Sequence, residues 1–243
     1  MTVVLPSLGL AVAAPHLQAN DLPADTLNAE LAVKNAEKAR LEKAVAADPA
    51  NQALRFQLGA VLCDLAADGD EGAEGEALKL FAALHKDAPH DAEVLAFYGN
   101  ACTIEAKFSF ILTKLNWAHD GFNYLDTAVK DAPDDVTVRV IRALNSSQVP
   151  DFLGREQTAR DDFAWIMQRV SEHPQDFSPE LLRSVYYYAG KFALNHNEAK
   201  AVQLLTQAAA IPASKDDVLT PKITAYLKIA HDKFPAAALA KNS

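Results

Sequence analysis

Proline recurs along this chain at nearly constant intervals, each time after a run of helix-forming residues. Pro49, Pro89, Pro133, Pro174 and Pro212 are separated by 40, 44, 41 and 38 residues. Because proline cannot continue a helix, it suits the position just beyond a helix end. A repeating interval of this length predicts an all-helical repeat protein in which each interval folds into one helical hairpin.

Apolar residues within the intervals recur at steps of three and four, which is the spacing of one helix face. Leu115, Ala118, Phe122, Leu125 and Val129 form one such stripe. No stretch alternates apolar and polar residues for long, so we expect no strands. The predicted helices cover residues 27–47, 51–66, 76–86, 91–108, 114–130, 134–148, 155–171, 180–195, 198–210 and 221–237.

Polar residues stand where these helices begin. Asn51, Asp91 and Asp135 follow the first three prolines and suit N-cap positions, where a side-chain oxygen accepts a hydrogen bond from a backbone N–H. Ser178 and Thr220 each precede a proline that suits the first position of a helix.

The composition indicates a folded, acidic protein. Half of the 243 residues are apolar, 23% are charged and the net charge is -9. An acidic surface repels phosphate backbones, so we expect no nucleic-acid partner. Residues 48–93 carry ten acidic side chains against Arg55, Lys79 and Lys86. This segment is interpreted either as a solvated acidic end or as a docking site for a basic partner.

The N-terminal residues 1–22 form a segment distinct from the helical repeat domain predicted over 23–243. An apolar run from Val3 to Ala14 is too short to span a bilayer, and it ends in small residues, Ala11 to Ala14, that resemble a signal-peptide cleavage site. Met1 and Thr2 supply no basic residue, so the run is either part of an export signal or an apolar tail. We expect export, with the periplasm as the destination, and no transmembrane segment; a cytoplasmic protein is the alternative.

Catalytic and metal-binding patterns are absent from the sequence. Cys63 and Cys102 lie in apolar helical runs and are expected to be buried thiols, and the seven histidines form no zinc motif. The acidic stretch 68–75 has Ala73 where a calcium loop needs its sharp-turn glycine, so we interpret it as a flexible acidic loop. We therefore expect a non-enzymatic protein with no cofactor and no metal.

Small residues midway through the first helix of each hairpin resemble those of the tetratricopeptide repeat family. The positions are Leu58-Gly59, Tyr98-Gly99, Arg142-Ala143 and Ala189-Gly190, and Ala44 and Ala128 each lie five residues before a proline, as in that family. The resemblance implies a right-handed solenoid of about four helical hairpins plus terminal helices. It also implies a protein or peptide partner, bound on the inner surface. The alternative is a cell-envelope component that binds a small ligand in a superhelical pocket.

A narrower similarity covers residues 114–163. Leu125-Asp126, Pro133, Arg142 and Pro150-Asp151-Phe152 look like the pattern of a group of exported bacterial helical-repeat proteins. That similarity favours export and implies no chemistry.

The family resemblance also selects candidate binding residues. The positions that face the groove in this family are counted from Gly99, Ala143 and Gly190. Eight of their polar and aromatic members are the candidate binding residues: Glu93, Asn100, Thr103, Ser147, Gln148, Tyr187, Lys191 and Asn195. Amides both donate and accept hydrogen bonds, and tyrosine combines apolar area with a polar tip, so such a set suits a peptide.

Arg139 and Arg142 lie one helical turn apart and have two interpretations. They either form a clamp for an anion or make structural ion pairs with Asp126 or Asp162 that hold adjacent helices. The family resemblance favours the structural interpretation, because neither arginine falls at a groove position of that family.

Overall fold

The computed structural model describes residues 24–214 and 217–235, where the regular secondary structure is entirely helical, without a strand. The apolar segment 1–22 lies outside the described residues. The ten α-helices are α1 Ala24–Ala47, α2 Gln52–Ala67, α3 Ala73–Asp87, α4 Ala92–Phe108, α5 Ile111–Asp131, α6 Val136–Ser146, α7 Glu156–Glu172, α8 Pro179–Asn195, α9 Lys200–Ala210 and α10 Thr220–Lys233. The prediction of an all-helical fold is confirmed.

Four predicted N-caps are also confirmed. The side chains of Asn51, Asp91, Asp135 and Ser178 each accept a hydrogen bond from the backbone N–H three residues later. The prediction for Thr220 was wrong, since α10 begins at that residue. The carboxylate of Asp217 accepts from the backbone N–H groups of Leu219 and Thr220 instead.

Helices α3 and α5 each begin three residues earlier than the apolar pattern predicts, which shortens the turns before them. α3 begins at Ala73, so the acidic loop shortens to residues 68–72, where Gly69 and Gly72 have φ values of 101° and 104°. Only glycine adopts such a conformation without strain, and these two residues therefore set the turn. α5 begins at Ile111, so the α4–α5 turn holds only Ser109 and Phe110.

Tertiary contacts divide the described residues into two compact units. The larger unit covers 31–166, and the C-terminal unit covers 24–30 and 167–235 without residues 215–216. In the larger unit α2 packs on α3, α3 on α4, and α4 on both α5 and α6. In the C-terminal unit α8 packs on α9, and α9 on α10.

The small residues in the first helices allow these close approaches. A Cβ atom on Gly99 would lie 2.7 Å from the backbone oxygen of Gly121, so the backbones of α4 and α5 are in direct contact. Gly59 lies against the ring of Phe81, and Gly190 against Leu205. A larger side chain at any of these three glycines would have to displace the helix or side chain packed against it.

Helices α2, α4 and α6 end on the same side of the larger unit. Lys107, near the end of α4, donates from Nζ to the backbone oxygen of Ala67 at the end of α2, at 2.9 Å. Asn145, near the end of α6, donates from Nδ2 to Oδ1 of Asn100 on α4, also at 2.9 Å. We call this side the loop end; it contains the turns 68–72, 109–110 and 147–155.

Candidate functional site

Two of the predicted groove residues lie in the core of the larger unit. Asn100 and Thr103 are 1% and 4% exposed. Asn145 Nδ2 donates to Oδ1 of Asn100 and, at 2.6 Å, to Oγ1 of Thr103, which itself donates to the backbone oxygen of Asn100. Because both side chains are buried, Asn100 and Thr103 present no polar surface to a partner.

The buried cluster lies among apolar groups and a thiol. Burial, followed by the negative charge of Asp64, raises the pKa of the Cys63 thiol well above its ordinary value. Burial likewise raises the pKa of Cys102 to about 12. Both cysteines are free and buried, as predicted, and both remain protonated at neutral pH.

The other predicted groove residues of the larger unit are partly exposed. Burial, and then the negative charge of Asp135, raises the pKa of the Glu93 carboxyl. Ser147 Oγ and Gln148 Nε2 both donate to the backbone oxygen of Leu144, at 2.9 and 3.1 Å, because α6 ends at Ser146 and leaves that carbonyl without a helical partner. Their binding role stays a prediction.

In the C-terminal unit the predicted residues lie along α8. Tyr187 is 3% exposed. Its ring packs edge-on against the ring of Tyr226, with 5.8 Å between the ring centres. Lys191 Nζ lies 5.4 Å from the centre of the Tyr226 ring. Burial, and then the positive charge of Lys222, lowers the pKa of Lys191 to about 8. Asn195 is partly exposed at the last position of α8.

The arginine pair makes structural ion pairs. Asp162 on α7 is fully buried and accepts hydrogen bonds from Arg139 Nη1 at 2.9 Å and from Arg142 Nε and Nη2, both at 2.8 Å. Arg142 also reaches Asp126 on α5 at 3.2 Å, where Arg155 adds a bidentate pair at 2.7 and 2.8 Å. The structural interpretation of Arg139 and Arg142 is confirmed, since their donors connect α5, α6 and α7.

Sequence reasoning missed an apolar surface at the loop end. Phe110 and Leu112 are 88% and 87% exposed, and Phe152 in the α6–α7 turn is 80% exposed. Phe108 and Leu115, in the same α4–α5 connection as Phe110 and Leu112, are also exposed, and we call Phe108, Phe110, Leu112 and Leu115 the apolar end. A signal was present in the sequence, because Phe110 and Leu112 are large apolar residues within a predicted turn.

Leu115 was predicted to join the core stripe of α5, and that prediction was wrong. Gly121 on α5 lies beside Thr103 of α4, and the backbone of Leu125 lies beside Gly99. This antiparallel register leaves about one turn of α5 beyond the last residue of α4. The stripe therefore continues past the end of its partner, and Leu115 is half exposed.

No family model, curated protein or solved structure matches the chain. None of the described helices combines the length and apolar character that crossing a bilayer requires. Within the described ranges, no group of three or more histidine, cysteine, aspartate or glutamate side chains is placed to hold a metal ion.

Proposed function

We propose that this chain is a non-enzymatic scaffold, a right-handed solenoid of tetratricopeptide type, that binds a protein or peptide partner. The observation that carries the proposal is the apolar end. Four large apolar side chains exposed within eight residues of a folded protein indicate an interaction site. Covering one phenylalanine or leucine side chain contributes about 1.5–3 kcal/mol, so a few such residues suffice to anchor a partner.

The framework behind this surface supports a binding role. Backbone contact between Gly99 and Gly121 fixes α4 against α5, and the ion pairs of Asp162 fix α6 against α7. A surface held in place before binding loses little conformational freedom when a partner docks. The partly exposed residues Glu93 and Gln148 are secondary contact candidates in the larger unit.

Site-specific photo-cross-linking in the native host tests the proposal. A photoreactive phenylalanine analogue replaces Phe110 at the apolar end, and in a matched control it replaces exposed Lys86 at the opposite end of α3. We expect a discrete cross-linked polypeptide with the first protein and none with the control. Equal cross-linking at both positions, or none at Phe110, would contradict the proposal.

Export is proposed as well, from the apolar run before Ala14. N-terminal sequencing of the protein from its host tests it: a chain that begins between residues 13 and 19 supports cleavage, and a chain that retains Met1 contradicts it.

A further inference from the structure

The apolar end resembles a helix-packing surface that lacks its last helix. Leu112 and Leu115 lie three residues apart and so share one face of α5. Further along the helix the same stripe, at Ala118 and Phe122, is buried. Among the described residues, no helix packs on the first turn of α5 in this way, since α4 ends at Phe108. A helix with one apolar face would extend the packing that α4 supplies deeper in the unit.

The turn 68–72 and the first turn of α3 are acidic, and they lie near this surface because Lys107, next to Phe108, contacts Ala67. Residues 68–76 contain Asp68, Asp70, Glu71, Glu74 and Glu76, with no basic residue among them. Asp68 pairs with Lys34 at 2.5 Å, and Glu76 lies 3.8 Å from Lys38. Glu74 accepts from the backbone N–H of Gly72. Among the described residues, Asp70 and Glu71 make no ion pair; Glu71 is exposed and Asp70 is half-buried.

The basic residues near the surface compensate only part of this charge. The ammonium group of Lys107 donates a hydrogen bond to the carbonyl oxygen of Ala67. Lys114, between Leu112 and Leu115 in the sequence, is exposed. Repulsion between like charges acts against an anionic lipid surface, and the net charge of -9 acts against a second copy of the same chain. Charge complementarity favours a cationic partner.

We propose that the apolar end binds a basic amphipathic helix of a partner protein. The leucine-type residues of such a helix would cover Phe110, Leu112 and Leu115, and its lysine or arginine residues would approach Asp70 and Glu71. This inference rests on the proposed function, because it names the chemistry of the partner at the same surface.

Synthetic peptides test the charge and helix requirements directly. The probe is a fluorescent peptide with leucines at helical positions i, i+3, i+4 and i+7 and lysines elsewhere; a second peptide carries glutamate in place of each lysine, and a third is a scrambled lysine peptide. Fluorescence anisotropy gives Kd for the full chain. We expect the amphipathic lysine peptide to bind at least about tenfold more tightly than either of the others.

Variants of the protein locate the site. Changing Phe110→Ser with Leu112→Ser should weaken binding of the lysine peptide at least about tenfold, without a shift in the unfolding midpoint, because both side chains are exposed. The pair Asp70→Asn with Glu71→Gln should weaken it roughly threefold or more at low salt, and less at high salt. The matched pair Asp131→Asn with Asp134→Asn, exposed at the far side of the larger unit, should leave Kd unchanged.

Several results would overturn the inference. These are equal binding of the lysine and glutamate peptides, equal weakening by the two acidic pairs, tighter binding to phosphatidylglycerol vesicles than to the peptide, or a dimer of the chain that Phe110→Ser with Leu112→Ser dissociates. If Phe110 still cross-links a polypeptide in the host, the proposed function stands and only the partner's chemistry is wrong. If no cross-link forms there either, both proposals fail.

Discussion

At the scale of single residues, two aspartates of the larger unit share Arg142 but differ in exposure. Asp162 is fully buried, whereas the side chain of Asp126 is 44% exposed. A buried carboxylate depends on its partners for all of its solvation, and those partners lose their main acceptor when it is removed. Water solvates much of the Asp126 carboxylate, so Asp126 depends less on its two partners, Arg142 and Arg155.

We therefore expect Asp162→Asn to lower the free energy of unfolding by about 3 kcal/mol, and Asp126→Asn by about 1 kcal/mol. Urea unfolding at neutral pH measures both, with the denaturant slope as the check that the unfolded states are comparable. Equal losses in the two variants would show that burial does not decide the strength of this network.

The buried residue Lys191 in the C-terminal unit should make the stability of the protein depend on pH. Burial, with the nearby charge of Lys222, lowers its pKa to about 8 from an unfolded value near 10.5. Between these two values the unfolded chain holds a proton that the folded chain has released, so the contribution of Lys191 to stability rises with pH across that window. Below pH 8 the folded protein buries a charged ammonium, and the penalty is constant.

Replacing Lys191→Met should consequently raise the unfolding midpoint at pH 7. The gain over the unchanged protein should shrink as the pH rises from about 8 to 10.5, because the neutral amine no longer opposes burial. Thermal unfolding of both proteins at several pH values measures the difference. A gain that stays constant with pH would assign the effect to packing on Tyr226 rather than to charge.

At the scale of helices, the α4–α5 contact sets the geometry of the apolar end. A methyl group on Gly99 would lie 2.7 Å from the carbonyl oxygen of Gly121 and 3.0 Å from the backbone nitrogen of Leu125. Backbone atoms cannot rotate away as a flexible side chain can, so the two helices would have to separate. The position of the exposed turn of α5 would change with them.

Gly99→Ala should therefore lower the free energy of unfolding by about 2–3 kcal/mol. Gly75→Ala serves as the control: it lies in the first turn of α3 with no atom within 4 Å of its added Cβ, and we expect a gain of up to about 1 kcal/mol. Chemical denaturation of both variants measures these changes in the free energy of unfolding. A stable Gly99→Ala variant would mean that α4 and α5 can shift relative to each other at little energetic cost.

At the scale of the molecule, every described element is a helix and the core lies in the contacts between successive helices. We expect a far-ultraviolet circular dichroism spectrum dominated by helix. A strand content near the globular average of about 20–25% would contradict it. This measurement also covers the residues outside 24–214 and 217–235, because the whole chain contributes to the spectrum.

Much of the fold could be predicted from the sequence, since helix signals act locally. The prolines and the caps at Asn51, Asp91, Asp135 and Ser178 determine where helices begin and end, through hydrogen bonds within a few residues. Arg139 and Arg142 could be paired with Asp126 and Asp162 because a buried charge in a helical protein requires a partner.

The candidate site was less predictable, because exposure depends on neighbouring helices. The same apolar stripe on α5 is buried at Phe122 and exposed at Leu115, and the difference is the point at which α4 ends beside it. Asn100 and Thr103 are polar by sequence, yet α6 places Asn145 over them and encloses all three. The amino-acid sequence alone determined the helices, their caps and their close contacts; the packing of one helix against the next decided which side chains reach solvent, because solvent exposure is a property of the assembled neighbours.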